Sequence, residues 1–283
     1  MADFSDILLT VDYDRTLTAP DSTIPQRNIE AIEYFIAHGG TFTVNTGRSI
    51  PMSASKLIPD VPVNAPLLLY NGSAAYDTGT GKLTRYTPIE LDPAALICDL
   101  RDRFPQLHVE IQALDAHYLT RPDAGFERYN DHNRCAWAYT TPDNIPQPFI
   151  KVAIYGEFRE NTVAGMYEAQ DWELELFDRL MAYVRQTYGD KLEQFRACPR
   201  ILDLHAKGVS KLNSARQLQK ELGKKILICA GDADNDVNML DGADYAFCPA
   251  DGIVAERYEN VCKCGDGAIA DVIYKKLPEI LAK

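Results

Sequence analysis

The sequence predicts an α/β protein: a doubly wound parallel-sheet core interrupted by a separate, inserted α+β unit. Two observations predict it. Short, almost continuously apolar segments alternate with helical ones in the first and last thirds of the chain. Strands of that kind are buried on both faces of a parallel sheet. The middle of the chain breaks the rhythm, with more Tyr and Pro and several short strand-like runs.

Each element follows from its pattern. DILLTVD is an apolar strand that ends on two aspartates, Asp12 and Asp14. The segment IPQRNIEAIEYFIAHGG carries Ile29, Ile32, Phe35 and Ile36 at helical spacing and stops at Gly39-Gly40. TFTVNTGR is a second strand, and PLLLYNG a third, closed by the turn pair Asn71-Gly72. In the last third, SKLNSARQLQKELG places Leu212, Ala215, Leu218 and Leu222 on one helix face and stops at Gly223. KKILICAGD is a buried strand, VNML opens a helix, YAFCPAD is a strand, and GAIADVIYKKLPEILA holds a closing helix. Between these halves lie LHVEIQ, HYLTR, FIKVAIYGE and RILDLH as strands, with one helix, DWELELFDRLMAYVRQTYG. The expected organisation is a Rossmann-like core at 1–82 and 195–283, with the insert at 83–194.

Composition bounds the function. The chain has 283 residues, 46% hydrophobic and 25% charged, enough for a sizeable core. Its net charge of -12 repels nucleic acid and anionic membrane, so neither is expected as a partner. No apolar run approaches the ~20 residues of a membrane-spanning helix. The N-terminal MADFSDILL does not read as a signal peptide. Seven cysteines and five histidines are scattered without ligand spacing, apart from a lone C-x-C at Cys262 and Cys264. The expectation is a reduced, cytoplasmic protein without a disulfide framework.

Ligands bind beyond the carboxyl ends of the strands in an open parallel sheet. The first strand delivers Asp12 and Asp14 there. The second delivers Asn45, Thr46, Gly47 and Arg48, and the third Asn71. The strand KILICA delivers Gly231, Asp232, Asp234, Asn235 and Asp236, and before the preceding helix stands Lys211, with Lys207 four residues upstream. Carboxylates gathered at one edge repel unless a cation sits among them. Asp12, Asp232 and Asp236 are hard oxygen ligands with no sulfur or imidazole nearby, which suits Mg2+. An EF-hand loop is excluded, because GDADND lacks the Gly at position six and the Glu at twelve. A carboxylate can act as a nucleophile and form an aspartyl-phosphate. A second one two residues on can protonate the leaving oxygen and then deprotonate the attacking water. Thr46 and Lys211 can hold phosphoryl oxygens, so the set suits phosphoryl transfer. Singly, each signal has an ordinary alternative, since Asp caps helices, Thr-Gly-Arg turns and most lysines are solvated. Their order along successive strand ends makes the combination specific.

Together, DYDRTLT at 12–18, TGR at 46–48, the lysine of KGVSK and GDADND at 231–236 resemble the haloacid dehalogenase (HAD) superfamily. The insert and YNGS at 70–73 resemble its Cof-type phosphatases, which carry a C2B-type α/β cap between the second and third motifs. The resemblance implies residue roles. Asp12 would be nucleophile and Mg2+ ligand. Asp14 would be acid/base and would offer its backbone carbonyl to the metal. Thr46 and Lys211 would hold the phosphoryl group, and Asp232 would ligate Mg2+ with Asn235 and Asp236. Gly47, Arg48 and Asn71 would lie on the substrate side. Lys211 is preferred to Lys207 because it sits where the helix begins. Two residues depart from the family pattern: Arg15 stands where Gly is usual, and Asn45 where a small residue is usual. Strand alternation would send the Arg15 side chain away from the Asp12/Asp14 face, to an acid at the core–cap seam or to the far end of a substrate.

The expected activity is removal of phosphate from a small phosphorylated metabolite through an aspartyl-phosphate. A sugar-phosphate mutase and a non-catalytic phosphate-binding protein use the same residues. A receiver-type phosphoacceptor would lack both Asp14 and the large insert. Tyr118, Arg121, Tyr129 and Trp137 are insert residues that could face a substrate, although packing within the insert is the commoner fate of such side chains.

Overall fold

The computed structural model describes residues 3–156 and 168–282. Contacts divide the chain into two units. One is Met1–Gly47, Asp60–Arg85 and Ser210–Lys283, and the other is Arg48–Pro59 with Tyr86–Val209.

In chain order, the first unit contributes β1 (Ile7–Val11), β2 (Thr41–Val44), β3 (Leu67–Leu69), β4 (Ala74–Asp77) and β5 (Lys82–Tyr86). The second contains β6 (His108–Ala113), β7 (His117–Leu119), β8 (Trp137–Tyr139), β9 (Phe149–Tyr155), β10 (Leu192–Cys198) and β11 (Ile201–Ala206). The chain returns to the first unit for β12 (Ile226–Ala230), β13 (Tyr245–Pro249) and β14 (Glu259–Val261).

The core sheet has the order β14-β13-β12-β1-β2, parallel throughout. A parallel bridge between Asn45 and Leu68 continues it towards β3, which pairs with β4 as an antiparallel hairpin. All five residues of β1 are buried, as a strand covered on both faces requires. One face packs Leu8, Leu227 and Cys229 against Ala215 and Leu218 of the helix Lys211–Glu221 and against Met239 and Leu240. On the other side of the chain, buried Asn28 of the helix Gln26–Ala37 accepts from Ala270 N and donates to Leu17 O, which ties down the turn after β1. β1 lies between β12 and β2, so the chain crosses over to opposite sides there. That is where an open sheet leaves a crevice at its carboxyl edge.

The second unit is a six-stranded sheet, β10-β11-β9-β6-β7-β8, antiparallel except for β7 with β8. Alternation divides its faces. Val109, Ile111, Val152, Ile154, Leu202 and Leu204 pack against the helices Pro93–Arg103 and Asp171–Tyr188. The opposite face carries buried polar groups, among them Glu110, Gln112, His117, Lys151 and His205.

Sequence and structure differ in particulars. β10 and β11 keep the second unit going to Val209, past residue 194, because β11 pairs with β9 and β10 with β11. The segment Arg48–Pro59 also belongs to this unit. The insert has helices at Pro93–Arg103 and Ala124–His132 besides the expected one. Asp92 and Asp123 cap their first turns. The last residue of the predicted strand FIKVAIYGE, Glu157, lies outside the described residues. No helix among the described residues is long and apolar enough to cross a membrane.

Candidate active site

β1 ends at Val11, and Asp12 N still donates to Ala230 O at 2.9 Å, so the Asp12 side chain emerges where β1 and β12 run together. The strand then gives way to a tight turn at Tyr13–Leu17. Arg15 adopts φ 58°, a left-handed conformation that suits glycine. This corrects the expectation from strand alternation. Alternation does not extend past Asp12, and the turn brings Arg15 Nε within 3.8 Å of Asp232 Oδ2, with the Arg15 side chain about one-third exposed (32%). Thr16, from the same turn, donates its hydroxyl to Asp232 Oδ1 at 3.0 Å.

Across the crevice, β12 runs into Gly231. A Cβ there would sit 2.5 Å from Asp236 Cβ, so the glycine is needed for Asp236 to fold back under the strand end. Asp236 Oδ2 accepts from the backbone N–H groups of Asp232 and Ala233 at 3.0 and 3.1 Å. Its other oxygen meets Lys211. Lys211 opens the helix Lys211–Glu221, whose N-cap Ser210 accepts from Asn213 N. Lys211 Nζ lies 2.6 Å from both Asp12 Oδ1 and Asp236 Oδ1. Asn45, the second departure from the family pattern, donates to Lys211 O at 2.9 Å and thereby ties the end of β2 to the first turn of that helix.

Ligand oxygens of Asp12, Asp232 and Asp236 lie within 4.8 Å of one another, and all three residues are buried. The electrostatics follow from that crowding. Burial raises the Asp12 pKa to about 7, against the pull of Lys211 and with a further push from Asp236 and Asp14. Burial, then the charges of Asp236 and Asp12, hold Asp232 well above the usual carboxylate range. Burial opposes the charge on Lys211, but Asp12 and Asp236 outweigh it and raise the lysine above its ordinary range. An all-oxygen donor set in which Asp12 and Asp232 resist ionising is relieved by a hard divalent cation. The residues therefore fit a hard divalent cation.

Thr46 is buried, donates its backbone N–H to Leu68 O and accepts from Asn71 N, each at 2.9 Å. Tyr70 and Asn71 both take positive φ. That turn brings the Asn71 side chain against Gly47, where a Cβ would meet Asn71 Oδ1 at 3.0 Å. Asp14 stands half-buried on the turn after β1, and Asn235 half-buried in the turn Asp234–Asp236. Arg48 is buried and is the first residue of the second unit. The two lysines differ in setting: Lys207 is half-exposed (52%) and pairs with Glu193 in the second unit, whereas Lys211 is buried with the acids. Three of the insert residues are occupied within the insert. Tyr118 donates to Asp115, Arg121 to the carbonyls of Pro105 and Leu107, and Trp137 to Asp131.

Sequence reasoning missed Thr16, which lies inside the DYDRTLT motif and could have been read as a hydroxyl facing the acids.

The model of the haloacid dehalogenase-like hydrolase family matches residues 9–263. The chain is 21% identical over 259 residues to the 5-amino-6-(5-phospho-D-ribitylamino)uracil phosphatase YitU of Bacillus subtilis, covering 88% of each chain. Its fold is that of a haloacid dehalogenase-like hydrolase from Bacteroides thetaiotaomicron, with TM-score 0.76, 18% identity and coverage of 95% of this chain and 98% of the other. A sugar phosphatase of HAD subclass IIB is similar in fold too, at TM-score 0.71 and 16% identity, over 97% and 98% of the two chains. The family match runs from β1, through the inserted unit, to the residues beyond β14, and the chain accordingly belongs to the haloacid dehalogenase-like hydrolases.

Proposed function

We propose that this hydrolase is a Mg2+-dependent phosphatase that acts on a small phosphorylated metabolite through an aspartyl-phosphate on Asp12. The observation that carries the reading is the buried cluster of Asp12, Asp232 and Asp236 at the carboxyl ends of β1 and β12, with Lys211 between Asp12 and Asp236.

Asp12 attacks phosphorus and forms the acyl phosphate. Asp14, half-exposed on the following turn, protonates the departing alkoxide and then takes a proton from the water that hydrolyses the acyl phosphate. Lys211 and Thr46 hold phosphoryl oxygens, and Gly47 and Asn71 shape the wall beside them. Asp12, Asp232, Asp236, Asn235 and the Asp14 carbonyl are the groups that would hold Mg2+, whose charge would offset that of the phosphoryl group and the carboxylates.

The substrate class rests on the named activities of the relatives, one on a phosphoribityl compound and one on sugar phosphates. A reducing, cytoplasmic setting fits the seven free cysteines. The test is a phosphate-release screen over sugar, polyol and nucleotide phosphates. Release that needs Mg2+ and stops on chelation is expected. Undiminished release in chelator would overturn the metal assignment, and isomerised sugar phosphate without free phosphate would overturn hydrolysis.

A further inference from the structure

Arg15 is held in the turn after β1 by its own backbone. Its N–H donates to the Thr18 hydroxyl at 3.2 Å, and its φ is 58°. From there its Nε lies 3.8 Å from Asp232 Oδ2. The two oxygens of Asp232 have different settings. Oδ1 accepts from the Thr16 hydroxyl at 3.0 Å. Oδ2 is buried and accepts no hydrogen bond among the described residues. A buried carboxylate oxygen without a donor is costly, and a cation relieves it. Oδ2 is therefore the oxygen that Asp232 has to offer.

Two cations have a claim on that oxygen. One is the hard divalent ion that the cluster of Asp12, Asp232 and Asp236 fits. The other is the Arg15 guanidinium, which stays charged throughout the pH range of a folded protein. Lys211 serves Asp12 and Asp236 at 2.6 Å, whereas Arg15 is the cation paired with Asp232 among the described residues. Glycine, usual at this position in the family, would place no charge there. A divalent ion brings two positive charges and can displace a proton from Asp232, so at least one is added beside the guanidinium. Like charges at one carboxylate repel. The Arg15 side chain is one-third exposed, so water screens that repulsion without removing it.

We propose that Arg15 is a resident cation that competes with the divalent ion for Asp232, and so raises the Mg2+ concentration at which the site fills. The proposal rests on the reading above in one respect only, that these acids hold Mg2+, and it does not depend on the reaction. Arg15 acts through Asp232 and its charge is what matters. A residue that merely shapes the turn would act through its backbone, whatever its side chain carried.

The test is a calorimetric titration of Mg2+ into the full chain, without substrate, for the wild type and for Arg15→Lys, Arg15→Gln and Arg15→Glu. All three variants keep a Cβ, so the left-handed turn is strained alike and only the charge changes. Affinity is expected to rise in the order of falling charge. Arg15→Lys should stay near the wild type, Arg15→Gln should bind about 3–10-fold more tightly, and Arg15→Glu more tightly again. The gap between the wild type and Arg15→Gln should narrow as KCl rises from about 0.05 to 0.5 M. The rise of Tm with Mg2+ gives the same ranking for a variant that is less stable from the outset. Asp232→Asn should weaken Mg2+ binding in the wild type. Equal affinities across the series, or a gap indifferent to salt, would overturn the competition and leave the metal reading standing. Weaker binding by Arg15→Gln would overturn it as well, because Arg15 would then be helping Asp232 to hold the ion. If Asp232→Asn binds Mg2+ like the wild type, the shared oxygen is no ligand and the proposal falls. If no chain of the series binds Mg2+, the metal reading falls and takes the competition with it, and phosphate release in chelator then decides whether hydrolysis stands.

Discussion

Lys211 Nζ stands 2.6 Å from the Asp12 carboxylate, and both side chains are buried. The ammonium is the counter-charge that lets Asp12 stay in the crevice. Without it, Asp12 and Asp236 are buried carboxylates with no cation. Removing one partner of a buried pair costs about 3–5 kcal/mol. Lys211→Met should therefore be destabilised on that scale in chelator, by denaturant unfolding. The pH dependence has a definite sign. Burial already holds the Asp12 pKa above its unfolded value, and losing Lys211 raises it further. A raised carboxyl pKa leaves stability intact at low pH and erodes it as pH rises. The deficit should thus stay level up to about pH 6 and grow from there to about pH 8, as wild-type Asp12 ionises near 7 and the variant's does not. Mg2+ should restore part of it. A deficit that is flat with pH would count against the pairing.

Arg15 occupies a left-handed turn position at φ 58°. A Cβ there costs about 1–2 kcal/mol. Glycine gains about 0.4–1 kcal/mol of extra freedom when unfolded, which offsets part of that relief. Arg15→Gly should therefore be more stable than Arg15→Ala by roughly 0.5–1 kcal/mol. Both variants lose the contact with Asp232, so the comparison isolates the backbone. Unfolding midpoints for the two would measure it, and an equal or more stable alanine variant would refute the strain argument.

His205 is buried on the polar face of the second unit's sheet. Burial, with a smaller push from Lys151, holds its pKa well below the ordinary value. It is neutral when folded, whereas the unfolded chain takes up a proton as pH falls through about 6.5. Its contribution is therefore complete above that pH and is lost on acidification, at up to about 1.4 kcal/mol per pH unit. The stability difference between the wild type and His205→Gln should shrink steadily from about pH 7.5 to pH 5. A constant difference across that range would mean that His205 does not titrate with unfolding.

The parts of this molecule that were legible in its sequence are those where local pattern and tertiary role agree. Ile7–Val11 is apolar but for Thr10 because β1 is covered on both faces, and GDADND follows a strand of the same kind. The insert was harder to read. Strand β10 is half-buried along most of its length and lacks a clean alternation, so its pairing with β11 carried no local sign. The helix Pro93–Arg103 was announced only by Asp92 at its cap and Pro93 at its first position. Arg15 was misread because alternation was carried past the end of β1 into a turn. The link from Ser49 to His117 spans 68 residues. Such a contact depends on how β6 and β7 pair, which the composition of neither strand discloses.

The central claim is that Asp12 carries the phosphoryl group and Asp14 moves the protons. Acid-quenched protein, after reaction with an aryl phosphate and Mg2+, can be mapped by mass spectrometry. The aryl leaving group needs little protonation, so Asp14→Asn should still be phosphorylated slowly. It should then hydrolyse the acyl phosphate poorly, about 100–10,000-fold below the wild type. The account predicts that Asp14→Asn accumulates one phosphoryl group on Asp12 and that Asp12→Asn accumulates none. A phosphoryl group on another residue, or equal labelling of the two variants, would contradict it.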